Sequence, residues 1–315
     1  MFQVLLNILS PMMMLMFFVL SGFILSRFHI LPQGSDKIIS KLESNYIIPL
    51  MILHSMILNC SLSSIRDNLP LILFSAGNVL AIIFLAKPIS RIFAKAGYEQ
   101  KLFEYSLIFL SYGFLGNGLV RELYGDEGLF RYILYCMPTN IACFSYGVPM
   151  LTPEEVKKNQ SRIRNLLNPT LVSIAVGMIL GLTGAGKIIP RFLMNALEVC
   201  SNMMGPVAML LTGVVIGGFD FHKIIGDKKI FGVCFIRMLV FPVLTVAVFM
   251  LLHADPMILI LALIANATPL GLFQVIYPAS YGKDTTLGAS MALMSNLLCM
   301  VTLPVLYSLL QTIIG

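Results

Sequence analysis

The chain is a succession of long apolar runs separated by short polar connections. A helix needs about 20 mostly apolar residues to cross a bilayer. Ten runs approach or exceed that length: 4–26, 36–60, 69–93, 102–123, 128–150, 165–185, 189–218, 229–253, 256–281 and 286–312. A membrane β-barrel would alternate apolar and polar positions over segments of about 10 residues, and these runs do not alternate. The pattern predicts an all-α polytopic membrane protein with ten transmembrane helices. The fourth and ninth runs contain Gly116-Asn117-Gly118 and Asn266-Ala267-Thr268-Pro269. Such stretches interrupt a helix inside lipid, so both helices are expected to be broken, at 116–118 and at 266–269.

Two short blocks repeat. Residues 44–49 read Ser-Asn-Tyr-Ile-Ile-Pro, and residues 201–206 read Ser-Asn-Met-Met-Gly-Pro. Pro11 stands 38 residues before Pro49, and Pro169 stands 37 before Pro206. The halves echo again later. Tyr124-Gly125-Asp126 precedes Asn140 by 16 residues, and Tyr281-Gly282-Lys283-Asp284 precedes Asn296 by 15, counted from the tyrosines. The longest polar connection, 152–164, separates five runs from five. Five is odd, so the second half enters from the opposite side, as in transporters built from inverted repeats. The expected organisation is a first five-helix repeat at 1–151, a cytoplasmic loop at 152–164 and a second, inverted five-helix repeat at 165–315.

Charge supports this map. Charged residues make up 11 % of the chain and hydrophobic residues 58 %, with a mean hydropathy of +0.89. Soluble domains carry roughly 25 % charged residues, so so little charge cannot coat a water-facing globule. The net charge of +6 does not call for a nucleic-acid partner. With the N-terminus outside, 15 of the 21 Lys and Arg fall in inside loops and 5 in outside loops, leaving Arg237 within a run. That is the positive-inside bias, and it puts both termini outside. The first run has no preceding Lys or Arg and exceeds the roughly 7–15 apolar residues of a signal peptide, so it is expected to be a retained helix. The six cysteines form no CxxC pair, which predicts neither a disulfide framework nor a metal site.

A half-helix that begins at mid-bilayer presents unpaired N–H groups and the positive end of its dipole. Two such ends facing each other at a repeat interface bind an anion without any cationic side chain. The candidate substrate-binding residues are therefore those at the breaks and their polar companions. They are Ser111, Gly116, Asn117, Gly118 and Asn140 in the first half, and Asn266, Thr268, Pro269, Gln274, Ser295 and Asn296 in the second. The competing role for each amide is a hydrogen bond between helices, and for the glycines and proline a simple kink. Arg237 either snorkels to the inner surface or packs within the fold, or else it stands near the anion path. Glu43 and Glu198 are expected at helix interfaces rather than as proton carriers, and His54 as a hydrogen-bonded helix residue.

Residues 181–187 fit GxxxxGK, but a phosphate loop follows a strand and continues with Ser or Thr. Here an apolar helix precedes and Ile188 follows, so Gly177 and Gly181 are expected to serve close helix packing. There is no HExxH, no GxSxG and no acidic pair with metal spacing. No enzymatic activity, cofactor or metal is expected.

Several stretches resemble the auxin efflux carrier family, which includes plant PIN-type carriers and bacterial organic-acid permeases. They are Leu-Asn-Pro (167–169), Gly-Pro-Val-Ala-Met-Leu-Leu-Thr-Gly (205–213), Ala-Thr-Pro (267–269) and the run from Ser295-Asn296 to Pro304. The resemblance covers essentially the whole chain. It implies ten helices in inverted repeats with both termini outside. Helices one, two, six and seven would form a scaffold, with two and seven making a homodimer contact. Helices three to five and eight to ten would form a moving transport domain, with a carboxylate site where broken helices four and nine cross. Where the family has an asparagine and then a proline in the fourth helix, this chain has Ser111 and Gly118. Only Pro269 keeps the crossover proline, so the first break is expected to rest on glycine flexibility.

The function expected on these grounds is secondary transport of a small organic anion, a mono- or dicarboxylate, by elevator-like alternating access across a bacterial plasma membrane. The alternatives are a sodium-coupled bile-acid-type symporter, which shares this architecture, and a non-transporting membrane sensor or channel. A sensor would more often carry a soluble output domain, and a channel has no need of paired broken helices. The expected partners are the lipid bilayer, the organic anion and a second copy of the chain.

Overall fold

The computed structural model describes residues 13, 17–32, 34–153, 168–218, 227–271, 273–281 and 283–314. Pro11, most of the connection 152–164 and Leu167 of the Leu-Asn-Pro stretch lie outside them. Among the described residues the structure is helical, apart from one isolated β-bridge.

Helix α1 spans Phe17–Arg27. Helices α2 (Ser35–Leu42) and α3 (Ile48–Asn59) form one rod through a π-turn at Glu43–Ile47. A short α4 (Leu62–Asp67) leads to α5 (Leu69–Phe93) and then α6 (Gly97–Ile108). After a break come a π-turn at Tyr112–Gly116 and α7 (Asn117–Ala142). Helix α7 reverses at Gly125, whose φ of 65° suits a residue without Cβ. A further π-turn at Cys143–Gly147 leads into α8 (Val148–Leu151). The second half holds α9 (Pro169–Leu182), α10 (Arg191–Gly217) and α11 (Lys228–Phe235). A π-turn at Ile236–Val240 joins α11 to α12 (Phe241–Leu251). Then follow α13 (Pro256–Ala267), α14 (Phe273–Ser280) and α15 (Thr286–Ile314). Among the described residues four helical stretches are long and apolar enough to cross a membrane on their own: Leu69–Phe93, Arg191–Gly217, Lys228–Leu251 and Thr286–Ile314.

Three of these four π-turns share a local cause. Those at 43–47, 143–147 and 236–240 each end two residues before a proline: Pro49, Pro149 and Pro242. A proline ring collides with the carbonyl four residues back and offers that carbonyl no N–H. A widened turn just ahead of it moves the carbonyl aside and lets the rod continue.

Two groups of helices share the packing. In one, α3 lies between α9 and α10, and glycines set the spacing. A Cβ on Gly177 would stand 2.6 Å from Met56 Cβ, and one on Gly181 would stand 2.7 Å from the Cys60 carbonyl oxygen. These glycines pack helices, as their spacing in the sequence suggests. Helix α1 joins the same group against α10, with Gly22 facing Leu210 and Gly213 facing Val19. In the other group α5 packs on α6 and α7, while α13 and α15 pack on each other and on the α11–α12 rod.

The α1–α10 seam predicts a contrast. A Cβ on Gly213 would sit 1.9 Å from the Val19 carbonyl oxygen, whereas nothing lies within 4 Å of one on Gly77 in α5. Gly213→Ala is expected to cost about 1–3 kcal/mol through overpacking. Gly77→Ala should leave stability unchanged or raise it by up to about 1 kcal/mol through helix propensity. Thermal unfolding of the two variants in one detergent checks this.

Candidate functional site: the crossing of two broken helices

The site starts from two interruptions with different causes. Helix α13 stops at Ala267 because Pro269 disfavours helical geometry at the residue before it. Thr268 is accordingly extended, with φ −70° and ψ 154°. Helix α6 stops at Ile108, and Phe109 is extended as well, with φ −109° and ψ 130°. No proline lies nearby in that segment.

The two extended segments meet and satisfy each other. Leu110 and Leu270 form an antiparallel β-bridge, and the Ser111 N–H donates to the Pro269 carbonyl at 2.7 Å. The Leu270 N–H donates to Ser295 Oγ at 3.0 Å. Gly271 keeps the strands close, because a Cβ there would lie 3.3 Å from the Leu110 carbonyl oxygen.

The first break therefore lies at 109–111, and the expectation that it falls at 116–118 is corrected. Gly116 and Asn117 have helical dihedrals, −64°/−45° and −60°/−46°. Their neighbourhood needs glycine for proximity, not for unwinding. A Cβ on Gly116 would stand 2.0 Å from Tyr132 Oη, and one on Gly118 would stand 2.7 Å from Gly205 Cα, where α7 meets α10.

On one side of the crossing lies a cavity of ≈ 70 Å³. Ser111, Tyr112, Gly113 and Asn117 line it from the start of the second half-helix of the first break, and Gly271 and Phe273 from that of the second. The first N–H groups of a helix have no carbonyl behind them, so both entering ends bring unsatisfied donors and positive dipole ends to one space. Asn140 lines the cavity from α7, Ser44 and Ile48 from the α2–α3 rod, and Thr170 from α9. Asn140 is oriented from both ends: its Nδ2 donates to the Cys136 carbonyl at 3.2 Å, and its Oδ1 accepts from Tyr112 Oη at 3.0 Å. Asn117 Nδ2 donates to the Gly113 carbonyl at 2.8 Å.

The remaining polar candidates do not line the cavity. Asn266 Nδ2 donates to the Ala262 carbonyl at 2.8 Å, and its Oδ1 accepts from Asn78 Nδ2 at 3.3 Å. Thr268 Oγ1 donates to the Ala265 carbonyl at 3.2 Å. Gln274 Oε1 accepts from Ser106 Oγ, and its Nε2 is buried without a partner. Ser295 Oγ donates to the Ala292 carbonyl at 2.8 Å while receiving the Leu270 N–H. Asn296 Nδ2 donates to that same carbonyl at 2.7 Å.

Arg237 does not snorkel. It is 2 % exposed, and its guanidinium faces the crossing on the side of the arriving helices. Nη1 donates to the Asn266 carbonyl at 3.3 Å, and Nη2 to the Ile108 carbonyl at 3.5 Å. Asn266 Oδ1 lies 3.3–3.4 Å from both terminal nitrogens, and the Phe241 ring centroid is 5.4 Å away. Thr245 Oγ1 donates to Asn78 Oδ1 at 3.0 Å and extends this network into α5 and α12. Asn78, Thr245 and Tyr112 carried no signal in the sequence beyond being polar inside apolar runs.

The other singled-out residues scatter. Glu43 is fully buried in its π-turn, with both carboxyl oxygens unpartnered. Glu198 is exposed. His54 is buried with Nδ1 unpartnered, so that nitrogen makes no helix hydrogen bond of the kind expected. The two repeated blocks line different spaces. Ser44 reaches the cavity at the crossing, whereas Ser201, Asn202 and Pro206 line a separate polar pocket of ≈ 210 Å³ with Arg121 and Asp126.

The model of a family described as "Membrane transport protein" matches residues 7–307, nearly the entire chain. The chain belongs to this family, the auxin efflux carriers. Comparison with curated proteins gives no match. Members of the auxin efflux carrier family are transporters, and this member is a multi-pass membrane transporter. Its crossing makes one stability prediction. Ser295→Ala strands the buried Leu270 N–H, an omission that costs about 1–3 kcal/mol. A lowered unfolding temperature, restored by Ser295→Thr, is the expected result in detergent.

Proposed function

We propose that this auxin efflux carrier family member moves small organic anions, mono- or dicarboxylates, across a plasma membrane by elevator-like alternating access. The observation that carries the reading is the convergence of two half-helix N-termini on one cavity that also receives Asn117 and Asn140. A carboxylate there meets oriented N–H donors already paid for by folding, which is how a neutral site holds an anion. The cavity has room for a carboxylate group or several waters. Its walls come from both helix groups, since Ser44 and Thr170 belong to one and Ser111 and Asn140 to the other. Sliding one group along the other would open such a site to alternate sides.

The arrangement proposed for the membrane is ten helices in two inverted repeats, 1–151 and 165–315, with loop 152–164 inside and both termini outside. Helices two and seven, the α2–α3 rod and α10, are the proposed homodimer contact. Exposed Tyr46 and Leu42 on the former and Phe192, Val199 and Met203 on the latter supply apolar surface for it. The ligand-binding set proposed is Ser111, Asn117 and Asn140 with the backbone of Tyr112, Gly113 and Gly271.

Uptake of labelled organic acids into proteoliposomes tests the function. Saturable uptake of at least one carboxylate is expected, and transport of none, with or without a sodium gradient, rejects the reading. A hydrogen bond to a charged group contributes about 1.5–3 kcal/mol, or roughly ten- to 150-fold in affinity. Asn140→Ala should therefore weaken binding at least tenfold, whereas Asn296→Ala, away from the cavity, should change it far less. Topology has its own check. Single cysteines at Asn159 and Gly315 in a cysteine-free background should react with an impermeant reagent from opposite sides of the membrane.

A further inference from the structure

A crossing of two broken helices has no intrinsic preference for anions. Two helices arrive and two depart. Each arriving end carries roughly half a negative charge and each departing end roughly half a positive one. Summed over the crossing, the four ends cancel. A group that neutralises the arriving ends leaves the departing ends to dominate the field a ligand meets.

In this chain the arriving ends are the C-termini of α6 and α13, and one side chain reaches both. Arg237 donates to the carbonyl of Ile108, the last residue of α6, at 3.5 Å. It also donates to the carbonyl of Asn266, the last but one of α13, at 3.3 Å. No carboxylate among the described residues pairs with it: the ion pairs there join Arg121 to Asp126, Arg131 to Glu127 and Lys229 to Glu99. Its Nε is buried and unpartnered. Its one unit of positive charge therefore faces about one unit of negative charge spread over two helix ends. Leu110, two residues beyond Ile108, is part of the cavity wall, whereas Ile108 and Asn266 are not.

We infer that Arg237 sets the charge sign of the transported ligand: by cancelling both arriving helix ends it leaves the two departing ends as the net field of the cavity. It does so without touching the ligand, as a positioning and specificity-determining residue. The inference rests on the transport reading above and adds the origin of its anion preference.

The test compares each carboxylate with its neutral isostere on the purified, full-length protein by titration calorimetry. The probes are acetate against acetamide, succinate against succinamide and benzoate against benzamide. Wild-type protein is expected to prefer at least one acid over its amide by about tenfold or more, the scale of a helix-end interaction out of water. Arg237→Gln should abolish that preference mainly by weakening the acid, leaving the amide within about threefold of wild type. Arg237→Lys, which keeps the charge, should retain most of it.

Because removing a buried arginine endangers folding, Asn266→Asp provides an independent arm. It leaves Arg237 in place and sets a carboxylate where Oδ1 now lies 3.3 Å from Nη2. It should abolish the preference as well. Retention of the preference in folded Arg237→Gln or Asn266→Asp overturns the inference. So does parallel weakening of acid and amide, the signature of a merely structural role. A wild-type protein with no acid-over-amide preference in any pair overturns the anion-transport reading itself, and this inference with it.

Discussion

Unpaired backbone groups cannot be left in the middle of an apolar fold, and the structure is organised around two stretches where helical pairing fails. An unsatisfied N–H or C=O there costs several kcal/mol. The segments at 109–111 and 268–271 meet this constraint mutually, through the Leu110–Leu270 bridge and the Ser111-to-Pro269 hydrogen bond. What they leave over goes to side chains. Ser295 takes the Leu270 N–H, and Arg237 takes the carbonyls of Ile108 and Asn266.

This mutual satisfaction couples distant parts of the sequence. The bridge fixes α6 relative to α13, and the second half-helices then depart from a common point. Their first turns have donors to spare, and residues of those turns line the cavity together with Asn117 and Asn140. The same contacts separate two jobs that look alike in sequence. Asn266, Gln274 and Ser295 hold the crossing together, whereas Ser111 and Asn140 face the space it creates. The glycines have a third job, close helix contact, as Gly118 against Gly205 shows.

The field at the crossing follows from the same geometry. Helix dipoles act only near their ends, and a crossing gathers four ends within a few residues. Where the negative ends are capped by a guanidinium and the positive ends open on a cavity, the polarity of the backbone becomes a binding property. A residue of α11–α12 rather than of either broken helix supplies the cap. The third element is therefore part of the electrostatics as well as of the packing.

The sequence alone determined the class of the protein. Its apolar runs, loop charges and family motifs follow from what a chain must present to lipid and water, and those demands act on each segment separately. It also determined the second break, because Pro269 constrains Thr268 through local sterics regardless of context. The packing role of Gly177 and Gly181 was legible from their spacing on one helix face. The first break was not. Gly116-Asn117-Gly118 looks weaker as helix than Phe109-Leu110-Ser111, yet the former is helical and the latter leaves the helix, with Phe109 extended and Ser111 at φ −85°, ψ 38°. Local propensity lost there to a partner about 160 residues away: the strand edge exposed at Pro269 offers hydrogen bonds only to the segment lying opposite it. Arg237 was ambiguous for the same reason, since an arginine eight residues into an apolar run has a path to the surface as well as inward. Only the folded structure, by placing two helix ends within its reach, decided which it takes.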